Sequence, residues 1–221
     1  MKEKVLLLLS GGLDSSVLLN YLQAREHLEM KALFFDRDQG NLVYEKQAAE
    51  YVSRKAGVPL HYVSIRDWRD AIRQFEKPGE GSLILKVPRN AMMILLATPF
   101  VIAYGCTKIA IGSSGDDKTT PDSNEKFIES INDLLETVKI VVDDPENLKT
   151  AVRVIAPFLY LGFKKKDIVR WAFKNLGEEF VDKLRSCYEA TAQPCGKCSA
   201  CAKRALALKE VQRELADKGG D

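Results

Sequence analysis

"LLLLSGGLDSSVLL", residues 6–19, is the stretch on which the reading of this chain turns. A continuous apolar run stops at Ser10-Gly11-Gly12. One acid and two hydroxyls follow, Asp14, Ser15 and Ser16, and then the apolar residues resume at helical spacing. The run from Lys4 to Leu9 predicts a strand covered on both faces, because a strand with one wet face would alternate. A strand that turns through glycines straight into a helix is a phosphate cradle in outline. The glycines let backbone N–H groups approach an anion, and the helix N-terminus adds partial positive charge. The hydroxyls of Ser10, Ser15 and Ser16 can donate to the same anion. Neither the GxxxxGK(S/T) spacing nor GxGxxG is present. The simpler alternative is a tight strand–helix turn with Asp14 as a cap.

The rest of the chain repeats this alternation. A helix is expected from Asp14 to about Glu26, a strand at Met30–Asp36, and a helix at Leu42–Ala56 ended by Gly57-Val58-Pro59. Leu60–Arg66 reads as a third strand. A Gly- and Lys-rich loop around Pro78–Lys86 precedes a long apolar helix, Arg89–Tyr104. Lys108–Ser114 is the fourth strand and Arg153–Ala156 the fifth; the stretch from Val141 to Thr150 has no evident place. Strands separated by helices predict an α/β doubly wound parallel sheet. Beyond Pro157 the strands cease, which divides the chain into an α/β domain, residues 1–160, and a helical, cysteine-bearing appendage, residues 161–221.

Composition narrows the function classes. The formal charge of +2, from 33 Lys and Arg against 31 Asp and Glu, leaves no footprint for duplex nucleic acid. The N-terminal apolar run ends at Leu9, too short for a secretory core, and no run approaches a membrane span. A cytoplasmic protein is expected. Of its five cysteines, Cys106 stands alone as a small hydrophobe, and the other four crowd into Cys187-x7-Cys195-x2-Cys198-x2-Cys201. In a reducing compartment that spacing favours metal, and four thiolates close a tetrahedral Zn²⁺ site. A redox CxxC pair and an iron–sulfur cluster are the rival uses.

"SGGLDSS" is similar to the SGGxDS loop of the PP-loop ATP pyrophosphatases, whose fold is HUP-like. "SCYEATAQPCGKCSACAKRA" closely resembles the SCY…PCGxCxxCxxR segment of one branch, the QueC (ExsB) family of 7-cyano-7-deazaguanine synthases. "FFDRDQGN", "VPRN" (Val87–Asn90), "IAIGSSGDD" (109–117) and "APFLYLGFKKKDIV" resemble further segments of it, so the likeness spans nearly the whole chain. It departs at "TTPDSNEKF" (119–127), where the family's YPDCR-like Cys-Arg pair is replaced by Ser123-Asn124.

The resemblance implies that ATP and Mg²⁺ meet Ser10, Gly11, Gly12, Asp14, Ser15 and Ser16, with Phe35, Asp36, Asn90 and Gly112 completing the nucleotide site. Asp14, Lys165 and Arg89 would serve the chemistry, Asp116, Asp117 and Asp122 the second substrate, and the four clustered cysteines Zn²⁺. The implied enzyme is an ATP-dependent ligase that adenylates the carboxylate of 7-carboxy-7-deazaguanine and, with ammonia and through the amide, makes the nitrile. Two alternatives stay open: a QueC-like paralogue of the kind found beside bacterial antiphage defence genes, which passes the acyl group to a protein amine, and an ATP-sensing module without catalysis. A homodimer is compatible with the family. His27, His61, Trp68 and Trp171 carry no pattern that suggests catalysis or base stacking.

Overall fold

The computed structural model describes residues 2–76, 88–143 and 149–218. The Gly- and Lys-rich loop around Pro78–Lys86, Val87 and the terminal residues Gly219–Asp221 lie outside them. In chain order the elements begin β1 (Glu3–Leu8), α1 (Leu13–Gln23), β2 (Leu28–Asp36), α2 (Leu42–Ala56), β3 (Leu60–Ser64), α3 (Arg66–Arg73) and α4 (Arg89–Tyr104). They continue β4 (Lys108–Ala110), α5 (Glu125–Thr137), β5 (Val141–Asp143), β6 (Lys149–Ala151) and β7 (Arg153–Ile155). The chain ends with α6 (Pro157–Tyr160), α7 (Lys165–Leu176), α8 (Glu178–Asp182) and α9 (Ser199–Lys218).

The expected parallel sheet is present, in the order β3-β2-β1-β4-β7. β1 and β4 are neighbours although the chain between them first builds the opposite side of the sheet. Their junction is therefore a topological switch point, where open α/β sheets hold ligands at the strands' carboxyl ends. β1 shows why its sequence is continuously apolar. Val5, Leu7 and Leu9 face one core with α1 and α2, while Leu6 and Leu8 face a second core with α4 and α5. The first core also takes Ile168, Val169 and Phe180 from α7 and α8 and Ala207 and Val211 from α9, so the helices beyond residue 157 close over the same sheet face. Each such side chain removed from water contributes about 1.5–3 kcal/mol.

Several boundaries differ from the sequence expectation; β1 runs Glu3–Leu8, β2 begins at Leu28 and β7 ends at Ile155. α1 stops at Gln23 rather than near Glu26. β3 stops at Ser64 because Arg66 opens α3, its guanidinium 2.7 Å from the Asp36 carboxylate. β4 leaves its ladder after Ala110, with one further bond from Ile111 N–H to the Ile155 carbonyl at 3.0 Å. The unplaced stretch around Val141–Thr150 contributes an antiparallel pair, β5 with β6. α5 has no counterpart in the sequence reading; Asn124 caps it, accepting from Phe127 N–H at 2.9 Å.

Two glycines set the geometry of the first loop. Gly11 has φ +73°, and a Cβ there would stand 2.3 Å from the Glu45 carbonyl oxygen in α2. A Cβ on Gly112 would stand 2.8 Å from Ser15 N. Gly57 shares the positive φ, +65°, but nothing lies within 4 Å of its absent Cβ. Gly57→Ala should therefore cost only the left-handed backbone strain, about 1 kcal/mol. Gly11→Ala should cost about 3 kcal/mol, strain plus a backbone clash. Urea unfolding of the two variants measures the difference.

Candidate active site and cysteine cluster

A cavity of about 270 Å³ opens at the switch point. Ser10, Gly12, Asp14 and Ser15 line it from the first loop, and Gly112, Ser113 and Asp117 from the end of β4. Arg89, Asn90 and Met93 line it from α4, and Phe35 from β2. α1 starts at Leu13 with Gly12 as its N-cap and no capping side chain, so its first-turn N–H groups face the cavity mouth without the usual partner. The hydroxyls of Ser10 and Ser15 lie 3.0 Å apart, and Ser10 Oγ accepts from Gly12 N–H at 3.3 Å. Ser10 N–H also donates to Ser15 Oγ at 3.2 Å, while the uncapped N–H groups at the start of α1 remain as donors for an anion.

Asp14 is held from across the chain. Lys165 Nζ, at the first turn of α7, hydrogen-bonds Asp14 Oδ2. The other oxygen, Oδ1, is buried with no hydrogen-bond partner among the described residues. Burial pushes the Asp14 carboxyl up from its ordinary value, and the pull of Lys165 does not fully offset it. A buried carboxylate oxygen left unpaired beside a phosphate cradle matches a site for a divalent cation, which magnesium typically shares between a carboxylate and phosphate oxygens.

The remaining expected residues divide by position. Gly11 and Ser16 lie behind the loop rather than on the cavity wall, and Ser16 Oγ is buried without a partner. Asp36 stands off the wall in its ion pair with Arg66. Asp116 accepts from Lys165 N–H at 2.8 Å and so fixes the start of α7. Asp117 Oδ2 accepts from Ser114 N–H at 2.9 Å and from its hydroxyl at 3.0 Å, closing the turn after β4. Asp122 does not line the cavity. It orients Asn90, whose N–H and Nδ2 donate to Asp122 Oδ2 at 3.2 Å and the Asp122 carbonyl at 2.7 Å. Of the Ser123-Asn124 pair, Ser123 reaches the cavity and accepts from Asn90 Nδ2 at 2.9 Å, while Asn124 is spent on the α5 cap.

The sequence reading missed Arg37, Gln39 and Glu45, all on the cavity wall. The available signal was their position: dense polar residues just past the carboxyl end of a buried strand. Glu45 Oε2 accepts from Gln39 Nε2 at 2.7 Å, and Oε1 from Asn41 Nδ2 at 2.9 Å. Asn41, 4% exposed, also donates to the Cys187 carbonyl at 2.7 Å, so the wall of the cavity is hydrogen-bonded to the cysteine loop. Arg185 makes a second link. Its N–H donates to the Gly11 carbonyl at 2.8 Å, and its guanidinium donates to the carbonyls of Glu189 and Thr191, each at 2.6 Å. That guanidinium also stacks on Tyr44, 4.7 Å from the ring centre.

Cys187, Cys195, Cys198 and Cys201 converge, with all four sulfurs within 4.8 Å of one another. Gly196, φ +71°, makes the turn between the second and third. N–H groups of Glu189 and Cys195 point at Cys187 Sγ at 3.4 and 3.3 Å, and that of Cys198 at Cys195 Sγ at 3.4 Å. Donors aimed at sulfur stabilise thiolates, and four thiolates so disposed can hold a metal ion. Cys106, at the end of α4, is buried, and burial pushes its thiol up to about 11, which keeps it an inert hydrophobe. Among the described residues no helix is long and apolar enough to cross a membrane.

Comparison with known proteins agrees with this geometry. The chain is 31% identical over 222 residues to a 7-cyano-7-deazaguanine synthase of Aquifex aeolicus, covering 95% of this chain and 98% of that protein. It is 29% identical over 222 residues to one from Sulfurihydrogenibium sp. (strain YO3AOP1), covering 95% and 96%. Among solved structures, an NMN synthetase from Francisella tularensis superposes with a TM-score of 0.53 at 14% identity, covering 96% of this chain and 84% of that one, a likeness of fold. The model of the family described as "Queuosine biosynthesis protein QueC" matches residues 4–212. With that match running through both the phosphate-cradle loop and the four cysteines, the chain belongs to the QueC family.

Proposed function

We propose that the protein uses ATP to convert the carboxylate of 7-carboxy-7-deazaguanine into an acyl adenylate with release of pyrophosphate. Ammonia then displaces AMP to give the amide, and a second activation dehydrates the amide to 7-cyano-7-deazaguanine. The observation that carries this reading is the Ser10–Ser16 loop, opening with its uncapped helix onto a cavity at the switch point, in a chain of the QueC family.

A carboxylate is a poor acyl donor, because its leaving group would be oxide; adenylation gives it a good one, AMP. The chain's residues then have to align, neutralise and exclude water. Ser10, Gly12, Ser15 and the first turn of α1 take the phosphates, and Phe35 and Gly112 flank the nucleotide. Asp14 would hold Mg²⁺ through its unpaired Oδ1, and the ion would supply charge neutralisation for the departing pyrophosphate. Lys165 holds Asp14 in place and adds positive charge at the same point. Arg89 and Asn90 face the second substrate, with Asp122 fixing Asn90 and Asp116 and Asp117 fixing the turns on either side of the mouth.

Zn²⁺ is the ion we propose for the four cysteines. Zn–S bonds of about 2.3 Å place tetrahedral sulfurs about 3.8 Å apart, compatible with sulfurs that all lie within 4.8 Å of one another. A four-iron core seated among them would need the sulfurs farther apart. The division near residue 160 then separates the sheet that carries the first loop from the helices that carry the cysteines, with Lys165 reaching back across it to Asp14. We also propose a second copy of the chain as the cover for the outer face of α4, where Leu95, Leu96 and Ile102 are 40–51% exposed.

Three outcomes follow. With ATP, Mg²⁺ and the carboxylate, the protein should release pyrophosphate, and with ammonium the nitrile should appear by mass spectrometry. Adenylate without nitrile would transfer the reading to a protein amine as acceptor, and no substrate-dependent pyrophosphate would leave only an ATP-binding module. Asp14→Asn should lower kcat by about 10²–10³-fold in the same assay. Cys198→Ser should abolish stoichiometric zinc by elemental analysis and cost at least about 2 kcal/mol in urea unfolding.

A further inference from the structure

Arg37 comes directly after β2 and faces the cavity, yet the assignments above leave it without a partner. Its side chain retains only 18% exposure. Among the described residues the one carboxylate within ion-pair range is Glu45, at 3.7 Å, beyond hydrogen-bond length. Glu45 has already committed both its oxygens, to Gln39 and Asn41. The five N–H donors of the guanidinium therefore make no hydrogen bond among the described residues, which leaves them free to meet an acceptor in the cavity.

The same asymmetry holds across the cavity. Its three carboxylates all have internal donors: Asp14 has Lys165, Asp117 has Ser114, and Glu45 has Gln39 and Asn41. Its two guanidiniums make no hydrogen bond to a carboxylate among the described residues, Arg37 meeting Glu45 only at ion-pair range. Arg89, on the α4 wall, makes no ion pair among the described residues, and its positive charge reaches Arg37. Two cations facing one small cavity, with no hydrogen-bonded carboxylate among the described residues, suit an anion between or beside them. The phosphate cradle has its own donors on the β1 side, in Ser10, Gly12 and Ser15, and Lys165 stands behind it. Arg37 instead stands at the end of β2, where Phe35 and Met93 offer apolar surface for a flat ring and Asn90 and Ser123 offer polar atoms for its edge. A planar fork of donors fits a planar carboxylate in two parallel hydrogen bonds.

We propose that Arg37 receives the carboxylate of the acceptor substrate, with Arg89 as the second positive charge, and that it selects the anionic acid over neutral analogues. This inference rests on the function proposed above and adds to it a residue that distinguishes the two activation steps. The acid of the first step pairs with Arg37, whereas the amide of the second carries no charge for it to hold.

Steady-state pyrophosphate release with Arg37→Gln and Arg37→Lys, on the acid and on the amide separately, tests this. The expected result for Arg37→Gln is a KM for the acid raised about 100-fold relative to the KM for the amide, as for loss of one partner of a buried charged pair. Arg37→Lys keeps the charge without the fork and should show about a tenfold change in the same ratio. Equal increases for acid and amide would overturn the proposal and make Arg37 a wall of the cavity. An increase confined to the KM for ATP would also overturn it, in favour of a phosphate partner. Should the unmodified protein release no pyrophosphate with either compound, the underlying reaction falls and this inference with it. That failure shows in the parent protein and is distinct from the other two.

Discussion

Between Gly11 and the carbonyl of Glu45, and between Gly112 and the amide of Ser15, backbone meets backbone with no space for a side chain; an added Cβ would lie 2.3 Å and 2.8 Å from those atoms. The first contact seats the loop on α2, and the second brings the end of β4 against the first turn of α1. Together they clamp the helix start at the switch point of the sheet. The loop is held there by main-chain contacts, which leaves Asp14 Oδ1 without a partner among the described residues.

Around this clamp lies a set of buried polar links that reach the far end of the sequence. Arg185 donates its N–H to Gly11 and its guanidinium to the carbonyls of the cysteine loop. Asn41 joins Cys187 to Glu45 on the cavity wall. These links hold the loop firmly, since losing one partner leaves the other unpaired in a low dielectric, although Arg185 Nε itself has no partner among the described residues. The loop of the four cysteines, which can hold a metal ion, is thus tied by hydrogen bonds both to the first loop and to the cavity wall.

Much of this was legible in the residues. The β1 run reads as a doubly covered strand because both of its faces are apolar, and the helix after it reads from spacing alone. The cysteines announce a shared site because they lie close together in the chain. Asp36 and Asp122 are expected at the site from the resemblance; in the structure Asp36 pairs with Arg66 and Asp122 orients Asn90. Arg37 and Glu45 escaped notice because no motif spacing includes them; what brings them to the cavity wall is the packing of α2 beside β2.

By itself the sequence determined the alternation of strands and helices, the glycine turn into α1 and the grouping of four thiols. All of these depend on neighbours in the chain: periodicity, backbone freedom and short spacing. The tertiary structure decided which distant groups meet. Lys165 reaches Asp14 across 151 residues, and Asn41 reaches Cys187 across 146. Placing β4 beside β1 sets Arg89 opposite Arg37 over one cavity. Such pairings follow from strand order and packing of the two cores, and neither is encoded in any short stretch of the chain.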